Sequence, residues 1–262
     1  MKRSSIALIT VAFAAAAHAG ITYEFKTTTS GMAEHAMSGV VKSDAGKRRI
    51  EITASDDAMF PTGAVMLSSG SALTVIDPAK KTYYDLDLEH YIQQASNLGG
   101  GMLKLEFGDP KASVHDDGPA ETIAGYPTRR ETVQTVFTVA PSIPGAAQNM
   151  KVAVQATTQI WLTDKLPADA ANVLQTSRLH TGVAAIDKLL DATASLKGFP
   201  LKQVTTTNVS MNGGDPMTGT TTTIVSNIVR DANVDASQFT LPAGYTKVDD
   251  PLKTQMKNMG LD

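Results

Sequence analysis

Apolar residues recur at every second position over long stretches of this chain, and this alternation limits its fold more than any other feature. Side chains at every second position of an extended strand share one face. The pattern therefore predicts strands with one apolar face and one solvent-exposed face, as in a large antiparallel sheet. The alternating sets are Ile21, Tyr23 and Phe25; Ile50 and Ile52; Leu73 and Val75; Tyr84, Leu86 and Leu88; Val133, Phe137 and Val139; and Met150, Val152, Val154, Ile160 and Leu162.

A hairpin is predicted near the end of the chain. Residues 201–211 and 218–230 flank the Gly-rich segment 212–216, which has the composition of a turn. Threonine runs at 205–207 and 220–223 fit a pleated, half-exposed surface.

Few segments have the spacing of helices. We expect short helices at 88–97 and 251–259, and a helix from Pro167 to about His180, because proline is favoured as a first helical residue. Val183, Ile186, Leu189 and Leu190 follow at helical spacing, with Gly198 as the residue after that helix. Strands, then helices, then a hairpin predict an α+β domain with its helices on one face of the sheet.

The first nineteen residues have the three parts of a secretory signal peptide. Lys2 and Arg3 are followed by the apolar run 6–17, and Ala17-His18-Ala19 then places small residues at positions −3 and −1 of a cleavage site. The apolar run is shorter than the roughly 20 residues that span a bilayer. We expect cleavage between Ala19 and Gly20, and a bacterial periplasmic or secreted protein.

The mature chain of 243 residues, 20–262, is expected to form a single domain. The absence of cysteine excludes a disulfide and a lipid anchor at Gly20, so we expect a soluble protein that is not anchored in the membrane. Lys2 and Arg3 leave with the signal peptide, and 21 basic against 26 acidic residues then give a net charge of −5. This charge, without a basic cluster, argues against nucleic acid as a partner.

No group of residues predicts catalysis, a metal site or a cofactor. His115-Asp116-Asp117 could bind a metal or exchange protons, but it leads into Gly118-Pro119 and is typical of a solvated turn. The chain contains no nucleophile elbow, no phosphate loop and no thiol. We therefore expect a protein that is not an enzyme.

Four short sequence segments, taken in order along the chain, resemble those of a known protein family. Residues 75–83 read VIDPAKKTY, residues 122–126 read TIAGY, residues 160–164 read IWLTD, and residues 239–245 read FTLPAGY. This ordered set resembles exported bacterial proteins of unknown function that are similar to the outer-membrane lipoprotein-sorting carriers of the LolA and LolB fold.

The resemblance implies a strongly curved antiparallel sheet, a half-open barrel, wrapped over a few helices. It also implies that the concave apolar surface holds a lipid or a lipoprotein acyl chain. Trp161, Leu162, Ile186 and Leu190 are the candidate lining residues, and Trp161 has the opposite strand parity to Leu162, so that it either packs in a core or lines the cavity.

Two other functions stay open from the sequence. The chain could be a structural or interaction module of the envelope, whose sheet is filled by its own helices and binds another protein. A hydrolase whose site is assembled from distant residues is the third alternative.

Overall fold

A single sheet of twelve strands dominates the computed structural model. The twelve strands lie side by side in the order β12-β6-β5-β4-β3-β2-β1-β11-β10-β9-β8-β7. Of the eleven neighbouring pairs in this described sheet, only the short β12–β6 pair is parallel. The large antiparallel sheet expected from the alternation is confirmed. The structure describes residues 20–57, 60–69, 72–87, 104–142, 150–171, 184–251 and 253.

The strands differ widely in length, and the longest form one half of the sheet. Their bounds are β1 Gly20–Ser30, β2 His35–Asp44, β3 Lys47–Ser55, β4 Val65–Ser69, β5 Ala72–Asp77, β6 Thr82–Leu86, β7 Lys104–Ile123, β8 Tyr126–Ser142, β9 Val152–Thr163, β10 Phe199–Met211, β11 Met217–Ala232 and β12 Thr246–Lys247.

Two antiparallel meanders make up the sheet. The first runs from β1 to β6 and the second from β7 to β11, and they join where β1 pairs with β11. A tight turn joins β7 and β8, with Ala124 and Gly125 at positive φ. The hairpin of β10 and β11, predicted from residues 201–230, is confirmed.

Helical structure is sparse in the described part of the chain. One α-helix, α1, spans Ala184–Ala194 and packs against β7. Short 3₁₀ helices cover Ala168–Ala170 and Ala236–Phe239. Gly198 lies beyond α1 at the entry to β10, with φ of +103°, so its predicted place directly after the helix is wrong. The helix predicted at 88–97, most of 167–180 and nearly all of 251–259 lie outside the described residues.

The main core lies on one side of the sheet, which we call the core-facing side. Each strand of the first meander contributes the residues of one parity to it, and β10 and β11 add Phe199, Leu201 and Val225. A smaller cluster of Val133, Ile160 and Leu162 continues the core onto β8 and β9. Burial of these side chains is the main stabilising contribution to the fold.

The segment just after β9 closes the main core. Leu166, Ala170 and Ala171 are buried in it. The Tyr23 hydroxyl donates to the Ala170 carbonyl oxygen at 3.0 Å, and Arg48 donates to the Asp169 carbonyl oxygen from Nε at 3.0 Å. This segment is thus fixed by polar bonds as well as by apolar contact, and the core beneath it is filled by the chain itself.

A glycine is required where the first two strands cross the core. A Cβ at Gly39 would lie 2.6 Å from the Phe25 ring and 2.6 Å from the Glu51 carbonyl oxygen. The Phe25 side chain therefore occupies the space that any larger residue at position 39 would need.

The predicted turn at His115-Asp116-Asp117 is wrong. These residues lie within β7, and the following Gly118 has φ of +83° at a register shift opposite β8. The shift has the form of a β-bulge, which absorbs an extra residue without ending the strand. Pro119 is tolerated there because β7 is the edge strand and one of its sides has no neighbouring strand in the described sheet.

Candidate functional site

The register of the strands shows which side chains share the core-facing side beyond the core. Thr205 lies opposite Thr158 on β9 and opposite Thr221 on β11, and Thr221 lies opposite Thr29 on β1. These positions have the parity of the buried residues Ile160 and Val225. The core-facing side therefore continues along the longer strands well past the core.

Next to the core, this side carries a band of threonines that we call the threonine belt. Hydroxyl pairs link neighbouring strands within it: Thr27 with Thr223 at 2.9 Å, Thr29 with Thr221 at 3.0 Å, and Thr158 with Thr205 at 3.1 Å. Cross-strand hydroxyl bonds of this kind stabilise a sheet surface and partly satisfy its polar atoms. Methyl groups of the same threonines remain to form an uncharged surface.

Beyond the threonine belt the surface becomes apolar again, at the end of the sheet that carries the β10–β11 turn. Val209 lies opposite Val154 and Met217, and Met211 lies opposite Val152. On β8, Val139 and Phe137 pair with the same two β9 valines. We call this group the distal tract. It consists of Phe137, Val139, Val152, Val154, Val209, Met211 and Met217.

The distal tract is far less covered than the core. Met211 and Met217 expose 50% and 49% of their surface, and the valines and Phe137 are half-buried. No charged side chain belongs to the tract. Contiguous apolar side chains on a protein surface are a common feature of sites that bind another apolar group.

A cavity of about 420 Å³ opens near the end of α1, and charged residues form much of its wall. Glu131 is buried there and pairs with Arg129, which also donates to the Lys197 carbonyl oxygen. Arg129 and Glu131 are thus paired with each other at this cavity, and its charged side chains distinguish it from the wholly apolar cavity expected for a hydrocarbon. Its lining consists of Arg129, Glu131, Asp164, Ser195, Lys197 and Gly198.

Trp161 is buried on the outward side of the sheet, opposite to the side that Leu162 faces. Its parity places it beside Arg130 and Lys202, and the Lys202 Nζ lies 4.2 Å from its ring centroid. The indole Nε1 donates to Glu121 Oε2 at 2.6 Å. Trp161 is only 5% exposed, because charged side chains cover it.

The same cluster perturbs a carboxyl group on β7. Glu121 accepts hydrogen bonds from its own backbone N–H, from the Trp161 indole and from Lys202, and these lower the pKa of its carboxyl below the usual value. The charge on Glu121 therefore ties the edge strand to β9 and β10 across the outward side.

The other three candidate lining residues lie elsewhere. Leu162 is buried on the core-facing side with Val133 and Ile160, and Leu196 packs against that group. Ile186 and Leu190 are half-buried on α1, which packs against β7. The structure thus separates Trp161 from Leu162 by the thickness of the sheet.

The polar cluster of His115 and Asp117 belongs to the outward side as well. Asp117 accepts from Thr132 at 2.7 Å and from Arg130 at 2.9 Å, and these bonds lower the pKa of its carboxyl. The His115 Nε2 lies 3.7 Å from Asp117 Oδ1. Across the described ranges, no three or more His, Asp or Glu side chains are grouped so that they could hold a metal ion.

Sequence analysis missed the distal tract. The parity of Val152, Val154 and Val209 was readable, but only the strand register brings β8, β9, β10 and β11 into one surface. Met211 and Met217 gave the available signal, since each lies at a strand end next to a polar turn.

Within the part of the chain that is described, no helix is both long and apolar enough to cross a membrane.

Comparisons with known proteins give neighbours of low similarity. No family model matches the chain, and neither does any curated protein. Among solved structures, an uncharacterized conserved protein from Thermus thermophilus is 11% identical with a TM-score of 0.35, over 86% of this chain and 89% of that one.

Two further neighbours have informative names. A LolA superfamily protein from Nitrosomonas europaea is 13% identical, with a TM-score of 0.33, over 84% of this chain and 90% of its own. A putative outer membrane lipoprotein-sorting protein domain from Vibrio parahaemolyticus is 9% identical, with a TM-score of 0.29, over 85% and 89%. The neighbours thus include the group that the sequence resembles. At these scores they carry no argument, and function is argued below from the residues.

Proposed function

We propose that this chain is a non-catalytic binding or carrier protein for an apolar ligand, a lipid or a lipoprotein acyl chain. The distal tract carries the proposal. It offers hydrocarbon and thioether side chains on the core-facing side of four adjacent strands, without a charged residue among them. The signal sequence at residues 1–19 supports a periplasmic localisation.

The physical basis is the removal of apolar surface from water. Each methylene of a ligand buried against the tract contributes about 0.8 kcal/mol. Ten methylenes would contribute roughly 8 kcal/mol before the costs of association are subtracted, which corresponds to at best micromolar binding. A single acyl chain is therefore a sufficient ligand for a reversible carrier.

The tract's composition suits a ligand without fixed shape. Methionine is unbranched and polarizable, and it adapts to irregular apolar partners. The threonine belt adds methyl groups while its hydroxyls bond to one another. In the proposed complex, an acyl chain lies across β9, β10 and β11 and contacts Val154, Val209 and Met217.

The proposed lining extends from the tract toward the core. Leu162, Ile186 and Leu190 remain proposed lining residues, reached if the sheet is curved around α1 as in a half-open barrel. Trp161 is excluded from this lining because its ring lies on the outward side.

The first test is whether a lipid accompanies the protein. The full chain is expressed with its own signal sequence, released gently from the periplasm and measured by native mass spectrometry. We expect a mature protein that begins at Gly20 and carries a co-purifying lipid, which a long-chain fatty acid displaces. A chain with no bound lipid that also fails to bind an apolar fluorescent dye would refute the proposal.

A matched pair of variants locates the site. Met217→Glu places a charge in the distal tract, whereas Ile224→Glu places one on the outward side of the same strand, opposite Lys202. The two parent residues are similarly exposed, at 49% and 44%, so both variants should fold alike. We expect dye affinity to fall about tenfold or more in Met217→Glu only. Equal affinities in the two variants would place the site elsewhere.

One observation favours a second candidate function, an envelope interaction module. Leu166, Ala170 and Ala171 already fill the core-facing side over the first meander. If that filling were complete, the exposed tract would serve as a contact for another protein. Absence of lipid and dye binding, together with a partner captured by crosslinking near Met217 and lost in Met217→Glu, would favour this alternative.

A further inference from the structure

Four methionines border the same end of the sheet, and we call them the methionine rim. Met211 and Met217 belong to the distal tract, and Met150 precedes β9 two residues before Val152, the partner of Met211. Met32, in the turn between β1 and β2, lies against Gly219: its Cε is 2.9 Å from where a Cβ of Gly219 would be. The absence of a side chain at Gly219 therefore leaves the room that Met32 occupies.

All four sulfur-bearing side chains are accessible to small molecules in water. Met32 and Met150 are 44% exposed, Met217 is 49% and Met211 is 50%. Met66, in contrast, is fully buried in the main core, and Met37 is partly buried against it. Accessibility thus divides the described methionines into a reactive rim and a protected interior.

Methionine thioethers react with hydroperoxides and with hypochlorous acid to give the sulfoxide. With hydrogen peroxide, the sulfur lone pair attacks one peroxide oxygen, the O–O bond breaks, a S–O bond forms and water leaves. The sulfur is oxidised by two electrons and the peroxide is reduced. The chain has no cysteine, so no thiol competes for the oxidant.

We propose that the methionine rim is an oxidation site that switches off apolar binding by the distal tract. The inference rests on the proposed function. A sulfoxide is strongly polar and accepts hydrogen bonds from water, so an oxidised rim would be covered by water where the unmodified rim contacts hydrocarbon. Met211 and Met217 lie directly beside Val152 and Val209, and their oxidation therefore changes the tract itself.

The site also permits reversal. Methionine sulfoxide is reduced by the sulfoxide reductases, each of which acts on one epimer. Because the rim is exposed, a reductase can reach these side chains without unfolding the sheet. Oxidation and reduction of the methionine rim would therefore change the affinity of the distal tract for apolar ligands reversibly.

The test follows oxidation and binding in the same samples. The folded mature chain is treated with increasing hydrogen peroxide, and peptide mass mapping locates the added oxygen atoms while an apolar dye reports affinity. We expect Met32, Met150, Met211 and Met217 to be modified well before Met66, and dye affinity to fall about tenfold or more as they are modified. Treatment with both reductases should restore it.

A variant with all four rim methionines replaced by leucine is the matched control, since methionine and leucine have similar volumes. Its dye affinity is measured before and after peroxide, and the two values should be equal, because leucine is not oxidised to a sulfoxide. Binding that survives oxidation of the rim would overturn the inference and leave the carrier proposal intact. A chain that binds no dye before peroxide would overturn both.

Discussion

Substitution of Tyr23 tests whether residues 166–171 close the main core. The Tyr23 side chain is fully buried, its hydroxyl donates to the Ala170 carbonyl oxygen at 3.0 Å, and its ring packs edge-on against Phe199 with centroids 5.2 Å apart. Tyr23→Phe removes only the hydroxyl and keeps the ring contacts. The buried Ala170 carbonyl then loses the Tyr23 hydroxyl as a hydrogen-bond donor.

The expected cost follows from that geometry. Loss of a buried hydrogen bond that leaves one partner unsatisfied costs about 1–3 kcal/mol, and the retained ring places Tyr23→Phe near 1–2 kcal/mol. For a chain of this size, each kcal/mol lowers the melting temperature by roughly 2–4 °C. Tyr83→Phe, which removes the hydroxyl of a half-buried tyrosine, is the matched control and should change stability by less than about 0.5 kcal/mol.

The pH dependence gives an independent signature of the same hydroxyl. Burial raises the pKa of Tyr23 far above its ordinary value of 10.0. Above pH 10 the unfolded chain loses this proton and the folded chain keeps it, so stability is complete below pH 10 and falls as pH rises. The loss approaches about 1.4 kcal/mol for each further pH unit. Tyr23→Phe should lack this part of the alkaline decrease, although half-buried Tyr84, whose pKa burial also raises, contributes in the same direction.

Urea unfolding followed by circular dichroism measures both effects, at neutral pH and above pH 10. If Tyr23→Phe matches the parent in its free energy of unfolding at neutral pH and loses stability equally at high pH, the hydroxyl is not buried against Ala170. Closure of the core by residues 166–171 would then be refuted.

Three further outcomes are expected. Gly39→Ala should lower stability by about 1–3 kcal/mol in urea unfolding, because its Cβ would meet the Phe25 ring and backbone at 2.6 Å; an unchanged midpoint would refute that packing. Emission from Trp161, the sole tryptophan, should change on unfolding and stay constant on saturation with lipid, since the ring lies on the outward side; a shift on lipid addition would place the ligand there. Burial raises the pKa of Glu51, but the hydrogen bond and charge of Arg49, together with Lys42, lower this pKa overall. The Glu51 carboxylate therefore stabilises the fold above its ordinary pKa, and this contribution is lost as pH falls. Glu51→Gln should weaken the acid-induced loss of stability measured by urea unfolding, and equal pH profiles of the two proteins would contradict the reasoning.

The sheet was predictable because its signal is local. Alternation at period two depends only on neighbouring residues, and it correctly assigned Val133, Phe137 and Val139 to one face of β8. The β10–β11 hairpin was equally accessible, since a Gly-rich turn separates two strands that pair with each other.

The sequence did not predict which side chains cover each side of the sheet. The opposite parity of Trp161 and Leu162 was correct, but parity does not say what covers a side. Trp161 is buried by Lys202, Arg130 and Glu121, which come from three other strands. Such coverage depends on register between strands up to 81 residues apart, as in the Glu121–Lys202 pair.

The turn predicted at His115-Asp116-Asp117 failed for a related reason. Gly118-Pro119 is a strong local turn signal, yet an edge strand can accept proline, and a bulge can accept glycine at positive φ. Only the position of β7 at the border of the sheet, which is a property of the whole fold, decides between the two outcomes.

The pairing of β1 with β11 has a consequence for how the molecule folds. Thr27 and Thr223, bonded across this seam, are 196 residues apart in the chain. Each meander can form from contacts between neighbours, but the seam requires closure of nearly the whole chain, and long-range contacts of this kind slow folding. Until β11 arrives, β1 and β11 are both free edges that another chain could pair with. We therefore expect the final joining of the two meanders to limit the folding rate, and aggregation to compete with it at that step.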